Sequence, residues 1–252
     1  MLIGQDFEKI EFPLFGFDFV EPNAMYGDTI ITIFALFFAY YSSRYYRETK
    51  LVFFNYWKYF FLVFGVGFFL GGLGHFCYNY WGIPGKVPAW YISGITSPML
   101  IELAMASLLP KQRFERLKRF FLIKTAFFWV LQALLIAFID LEKEPGLGLI
   151  GPTLAMITAL PSSLGILGYR FSKTITEDFK YAWWSLIIFS PSLIFQVMKI
   201  NIHPWFDRND ASHLLMLVNI TLYFMAARGY FRFQTKNGSE GKKSIEARGS
   251  IS

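Results

Sequence analysis

Apolar residues fall into seven runs of roughly 20 residues, separated by short clusters of charge. The runs cover 26–46, 52–79, 89–109, 117–140, 147–169, 181–202 and 210–231. A helix of that length rises about 30 Å, the thickness of a hydrocarbon core. The pattern predicts an all-α, polytopic membrane protein with seven transmembrane helices. Connections are short, so successive helices should pack antiparallel. Pro98, Pro161 and Pro191 fall inside the third, fifth and sixth runs, where a kink is expected. Ser162, Ser163, Ser190 and Ser192 beside them can take the carbonyls that proline frees. Gly65, Gly67, Gly71, Gly72 and Gly74 leave the second helix open to close contact.

Composition agrees. Of the 252 residues, 54% are hydrophobic and only 17% charged, against about 25% charged in a soluble domain. A single cysteine, Cys77, excludes an internal disulfide framework and a cysteine-based zinc knuckle. The first 25 residues lack a basic start followed by an apolar run, so the first helix is expected to serve for targeting.

The net charge of +6 reads as topology, not as a nucleic-acid surface. Of the 24 Lys and Arg, all but Lys9, Lys86, Lys143, Lys199 and Arg208 fall on one side. Basic residues mark the cytoplasmic side, so the N-terminus lies outside and the C-terminus inside. Residues 1–25 are acidic and rich in Phe, and read as an extracytoplasmic interfacial segment that lies along the interface or over the helix mouths. The bundle covers 26–233. From residue 234 the chain is polar and rich in Gly, Ser and Lys, the composition of a disordered cytoplasmic tail.

With orientation set, polar residues sort by depth. Asp28 opens the first helix from outside, His75 lies near the outer end of the second with Asn79 one turn on, and Asn209, Asp210 and His213 open the last. His203 lies in the preceding outer connection. Three histidines and two acids thus meet at one level, although far apart in sequence. Ionisable groups in membrane helices are costly and mark sites. Each also has a plain reading: Asp28 and Asp210 can stabilise helix N-termini, and His203 can be only loop. As a site, Asp28 and Asp210 are the candidate catalytic acids and His75 and His213 the candidate metal ligands. Asn79, Asn209 and His203 would support them. Histidine with carboxylate suits a divalent metal, zinc first, whose bound water would be a hydrolytic nucleophile. Deeper, Glu102 and Lys124 sit at matching depth on neighbouring helices and read as a structural ion pair.

The run Phe206-Asp207-Arg208-Asn209-Asp210-Ala211-Ser212-His213 resembles a family of uncharacterised seven-helix membrane proteins whose last helix begins Asn-Asp-x-x-His. Glu21-Pro22 with Asp28, and Gly-Gly-x-x-His ending at His75, fit the same family. More distantly, the layout is similar to the alkaline ceramidase and adiponectin receptor superfamily of seven-helix hydrolases. That resemblance implies a zinc held by histidines of helices 2 and 7, with a nearby Ser and Asp. Here His75 stands where the Ser would be, Asn79 where a His would be, and Asp210-x-x-His213 replaces His-x-x-x-His.

Two function classes follow: a metal-dependent hydrolase acting on a lipid, or a non-enzymatic binding, sensing or transport bundle using the cluster as a hydrogen-bonded polar site. The lipid bilayer is the expected partner in both. Retinal is excluded, because no lysine occurs from Asp210 to Ala227. Haem is disfavoured, because the histidines are shallow and each has an acid beside it.

Overall fold

The computed structural model describes residues 1–249, with side-chain surroundings for 1–144 and 146–236. Helices α1 (Pro22–Thr49) and α2 (Val52–Phe76) form the first antiparallel pair. Helix α3 is a continuous rod over 87–106 with a π-helical stretch at Trp90–Thr96. Then come α4 (Lys111–Phe138), α5 (Gly146–Thr174, π-helical at Pro161–Leu167), α6 (Lys180–Val197) and α7 (Arg208–Gly249). The protein is an all-α membrane protein. Five helices, α1, α2, α4, α5 and α7, are long and apolar enough to cross a membrane. The tail expected to be disordered from residue 234 is helical here as far as Gly249, and 250–252 lie outside the described residues.

Two prolines show how local chemistry keeps the rods continuous. Pro191 has no N–H for the carbonyl of Ile187, and Ser190 Oγ donates to that oxygen at 2.8 Å. Pro98 lies two residues past the end of the π-helical stretch of α3. There the hydroxyls of Ser93, Thr96 and Ser97 donate to the carbonyls of Ala89, Tyr91 and Ser93.

Helix α2 is the hub. Phe53, Phe54, Trp57, Phe60 and Phe61 along it are fully buried, with Phe179 and Tyr230 against them. Its other end is lined by glycine because α3 runs against it. A Cβ on Gly67 would sit 2.6 Å from Ser93 Cβ and 2.7 Å from Ser93 N, and backbone cannot yield there. Gly67→Leu should therefore destabilise by at least the ~1–3 kcal/mol of an overpacked core. Thermal unfolding in detergent measures it, and an unchanged midpoint would refute the close approach.

The chain before α1 folds over one end of the bundle. Strands β2 (Glu11–Leu14) and β3 (Phe17–Val20) form a hairpin, with Phe19 stacked on Phe76 at 4.2 Å. Strand β1 (Leu2–Ile3) pairs with β4 (Ile200–Asn201) in the α6–α7 connection. Asp6 binds Arg208 at 3.0 Å and Lys199 at 3.7 Å. This covered end holds the start of α1, the end of α2 and the start of α7.

Candidate functional site

Glycines make room for Asp28 beneath the cover. A Cβ on Gly72 would lie 2.9 Å from Asp28 Cβ, and one on Gly71 would lie 3.4 Å from Oδ2. Asp28 is 3% exposed. His213, one helix away, brings Nε2 to 3.4 Å from Asp28 Oδ1. Gly27 lies against the other ring nitrogen, and Phe68 meets the imidazole edge-on at 5.9 Å. Two buried atoms, Asp28 Oδ1 and His213 Nδ1, have no hydrogen-bond partner among the described residues. A buried polar atom without a partner is costly, so the pair keeps unused capacity for a proton or a ligand.

His75 belongs to a second group, nearer the surface. Its Nδ1 lies 2.8 Å from Glu21 Oε2 and 3.3 Å from Lys86 Nζ. Lysine can only donate and an ionised carboxylate only accept, so the shorter contact makes Nδ1 the donor to Glu21. Lys9 approaches the same carboxylate at 3.6 Å. Glu21 precedes α1 in the left-handed conformation, φ 52°, an unusual state for a side chain with a Cβ. Burial pushes its carboxyl up, but the His75 hydrogen bond and the charges of His75, Lys86 and Lys9 outweigh burial and hold it at about 2. Burial pushes the Lys86 ammonium down, and Glu21 opposes that.

The Glu21 shift makes a pH prediction. A folded value of about 2 against 4.5 contributes about 3 kcal/mol, to order of magnitude, at neutral pH. Because the folded value is the lower, that stability is complete above 4.5 and disappears as pH falls towards 2. Glu21→Gln should thus lower the unfolding midpoint at pH 7 and converge on wild type only as the pH reaches about 2 and below. A gap independent of pH would contradict the assignment.

Asp210 is placed otherwise than a free acid. Asp207 Oδ1 accepts from the N–H groups of Asn209 and Asp210 at 2.6 and 3.1 Å, while Asp210 Oδ2 accepts from Asp207 N at 2.9 Å. This reciprocal pattern is a capping box. Asn23 Nδ2 donates to the same Oδ2 at 2.7 Å, tying α7 to α1. Asn209 accepts from Gln196 of α6. Asn79 donates to Asp18 O and so secures the hairpin. His203 lies in the α6–α7 connection, where its ring accepts from Trp205 N at 3.1 Å. These three are therefore not gathered around Asp28. Lys124 Nζ meets Glu102 Oε1 at 2.5 Å, joining α4 to α3.

Each of the two site histidines faces its own carboxylate, His75 on Glu21 and His213 on Asp28. Among the described residues no three His, Cys, Asp or Glu side chains come together as a metal-ligand set. Sequence reasoning missed Glu21, Lys86 and Asp207 as partners. The available signals were Glu21 before a helix-starting proline, Asp207 three residues before Asp210, and a lysine on the side otherwise poor in them.

Below His213 a cavity of about 30 Å³ opens among mainly apolar side chains, Phe60, Phe64 and Met216 among them, with Ser93, Ser97, Asn219 and Tyr223 also on its wall. Asn219 Nδ2 donates to Tyr223 OH, while Asn219 Oδ1 is buried without a partner among the described residues. That volume suits a water molecule and is far below the ~150 Å³ that holds benzene.

A profile described as a family of unknown function (DUF6962) matches residues 24–230. No curated protein and no solved structure gives a significant match.

Proposed function

We propose that this chain, which belongs to the DUF6962 family of unknown function, is a seven-span, N-out and C-in membrane protein that binds a proton at Asp28 and His213 as a non-enzymatic sensing or transport bundle. One observation carries the reading: a buried carboxyl, Asp28, faces a partly buried imidazole, His213, and each has a buried atom without a hydrogen-bond partner among the described residues. Such groups are costly in a membrane and mark ion or proton sites.

The orientation rests on the bias of Lys and Arg, with only Lys9, Lys86, Lys143, Lys199 and Arg208 on the proposed outer side. Counting α3 and α6 with the five apolar helices makes seven spans, an odd number that agrees with chain ends on opposite sides.

The zinc hydrolase is the weaker reading. A catalytic zinc takes three protein ligands and an open position, whereas the Lys86 ammonium 3.3 Å from His75 Nδ1 would repel a divalent cation. The purified protein should carry sub-stoichiometric zinc, unchanged by His213→Ala. Stoichiometric zinc lost in that variant would restore the hydrolase.

Infrared difference spectra of the reconstituted protein between pH 4 and pH 9 test proton binding. A protonated-carboxyl band that is present in wild type and absent from Asp28→Asn is expected. Identical spectra from the two would end the proposal.

A further inference from the structure

The tip of the β2–β3 hairpin is an apolar surface that the site does not use. Strand pairing joins Leu14 to Phe17 and leaves a two-residue turn, Phe15-Gly16. Both have positive φ, 53° and 81°, as a type I′ turn requires. The first position of that turn favours Asn, Asp or Gly, because a Cβ is strained there. Phe15 nevertheless occupies it, 90% exposed. Neither backbone preference nor packing within the chain accounts for a phenyl ring at this place.

The hairpin is held firmly. Asp18 N donates to Tyr80 OH at 2.8 Å, and Asn79 Nδ2 donates to Asp18 O at 3.0 Å. Phe17 meets the Tyr80 ring edge-on at 6.0 Å. Tyr80 and Trp81, both half exposed, carry the aromatic surface from the hairpin onto the rim of the bundle just past the end of α2. Rings at the end of a membrane-crossing helix belong at the headgroup level.

We propose that Phe15 and Phe17 insert into the interfacial region of the bilayer beside Tyr80 and Trp81, anchoring the cover over the bundle end to lipid. The occupant is lipid because the patch continues the aromatic rim of an apolar, membrane-length helix. Glu11 and Asp18 flank the tip, so anionic headgroups are not what draws it in. The rings drive insertion, and zwitterionic lipid suffices.

Cys77 is the only cysteine, so Cys77→Ser gives a background for single spin labels. A nitroxide at Phe15→Cys, and a control at the exposed Glu8→Cys, are compared in phosphatidylcholine vesicles. The label at position 15 should be several-fold more accessible to oxygen than to a water-soluble nickel chelate, and the label at position 8 the reverse. In unsubstituted protein with labelled Phe, magnetisation transfer from lipid chains to the Phe15 ring should report the same contact. A position-15 label as open to nickel as the control, or a Phe15 ring without lipid transfer, would overturn the anchor. Neither readout depends on Asp28 or His213.

Discussion

Replacing Lys124 by Met should be among the most damaging single changes in this protein. It leaves the Glu102 carboxylate, 1% exposed, facing an apolar side chain. Among the described residues Glu102 Oε2 already lacks a hydrogen-bond partner, so nothing else there compensates the charge. Breaking one half of a buried pair costs about 3–5 kcal/mol, whereas replacing both halves with apolar groups is often neutral. Lys124→Met should lower the unfolding midpoint by about 10 °C, and adding Glu102→Leu should recover most of the loss. Additive losses in the double variant would mean that the two side chains do not act as a pair.

His213→Leu should produce the second large effect. His213 is the only basic side chain in ion-pair range of Asp28 among the described residues. Without it a carboxyl group buried under Gly71 and Gly72 faces leucine in place of the imidazole, at a cost of about 1–3 kcal/mol. Asp28→Asn keeps the shape and removes the charge, so it should cost less, and the double variant less than His213→Leu alone. Thermal unfolding of the four proteins gives the coupling between the two positions. A coupling near zero would show that the side chains do not interact.

The bundle was legible because its signal is local. Apolar length needs no knowledge of contacts, and apart from the C-terminal end of α7, which runs on to Gly249, the helix limits fall near those of the apolar runs. The start of α1 at Pro22 was hidden because Pro22 to Tyr26 is not apolar enough to continue the run, though proline favours a first helical turn.

The site was legible only in part. Depth placed Asp28, His75 and His213 near one end, and depth follows from the span pattern. Which side chains then meet depends on helix rotation and on loops, neither of which has a periodic signal. Hence His75 turned to Glu21 and Lys86, both outside the helices read from sequence, instead of towards His213. Asp210 was singled out as an acid in a first turn, and its spacing from Asp207 already held the reason for a capping role.

The most direct measurement of the central claim is solid-state nitrogen NMR of the His213 ring in lipid between pH 4 and pH 9, in wild type and in Asp28→Asn. If the two residues form one proton-binding unit, the ring nitrogens change state with pH in wild type, and the transition moves when Asp28 becomes an amide. A ring that responds neither to pH nor to the substitution would contradict it.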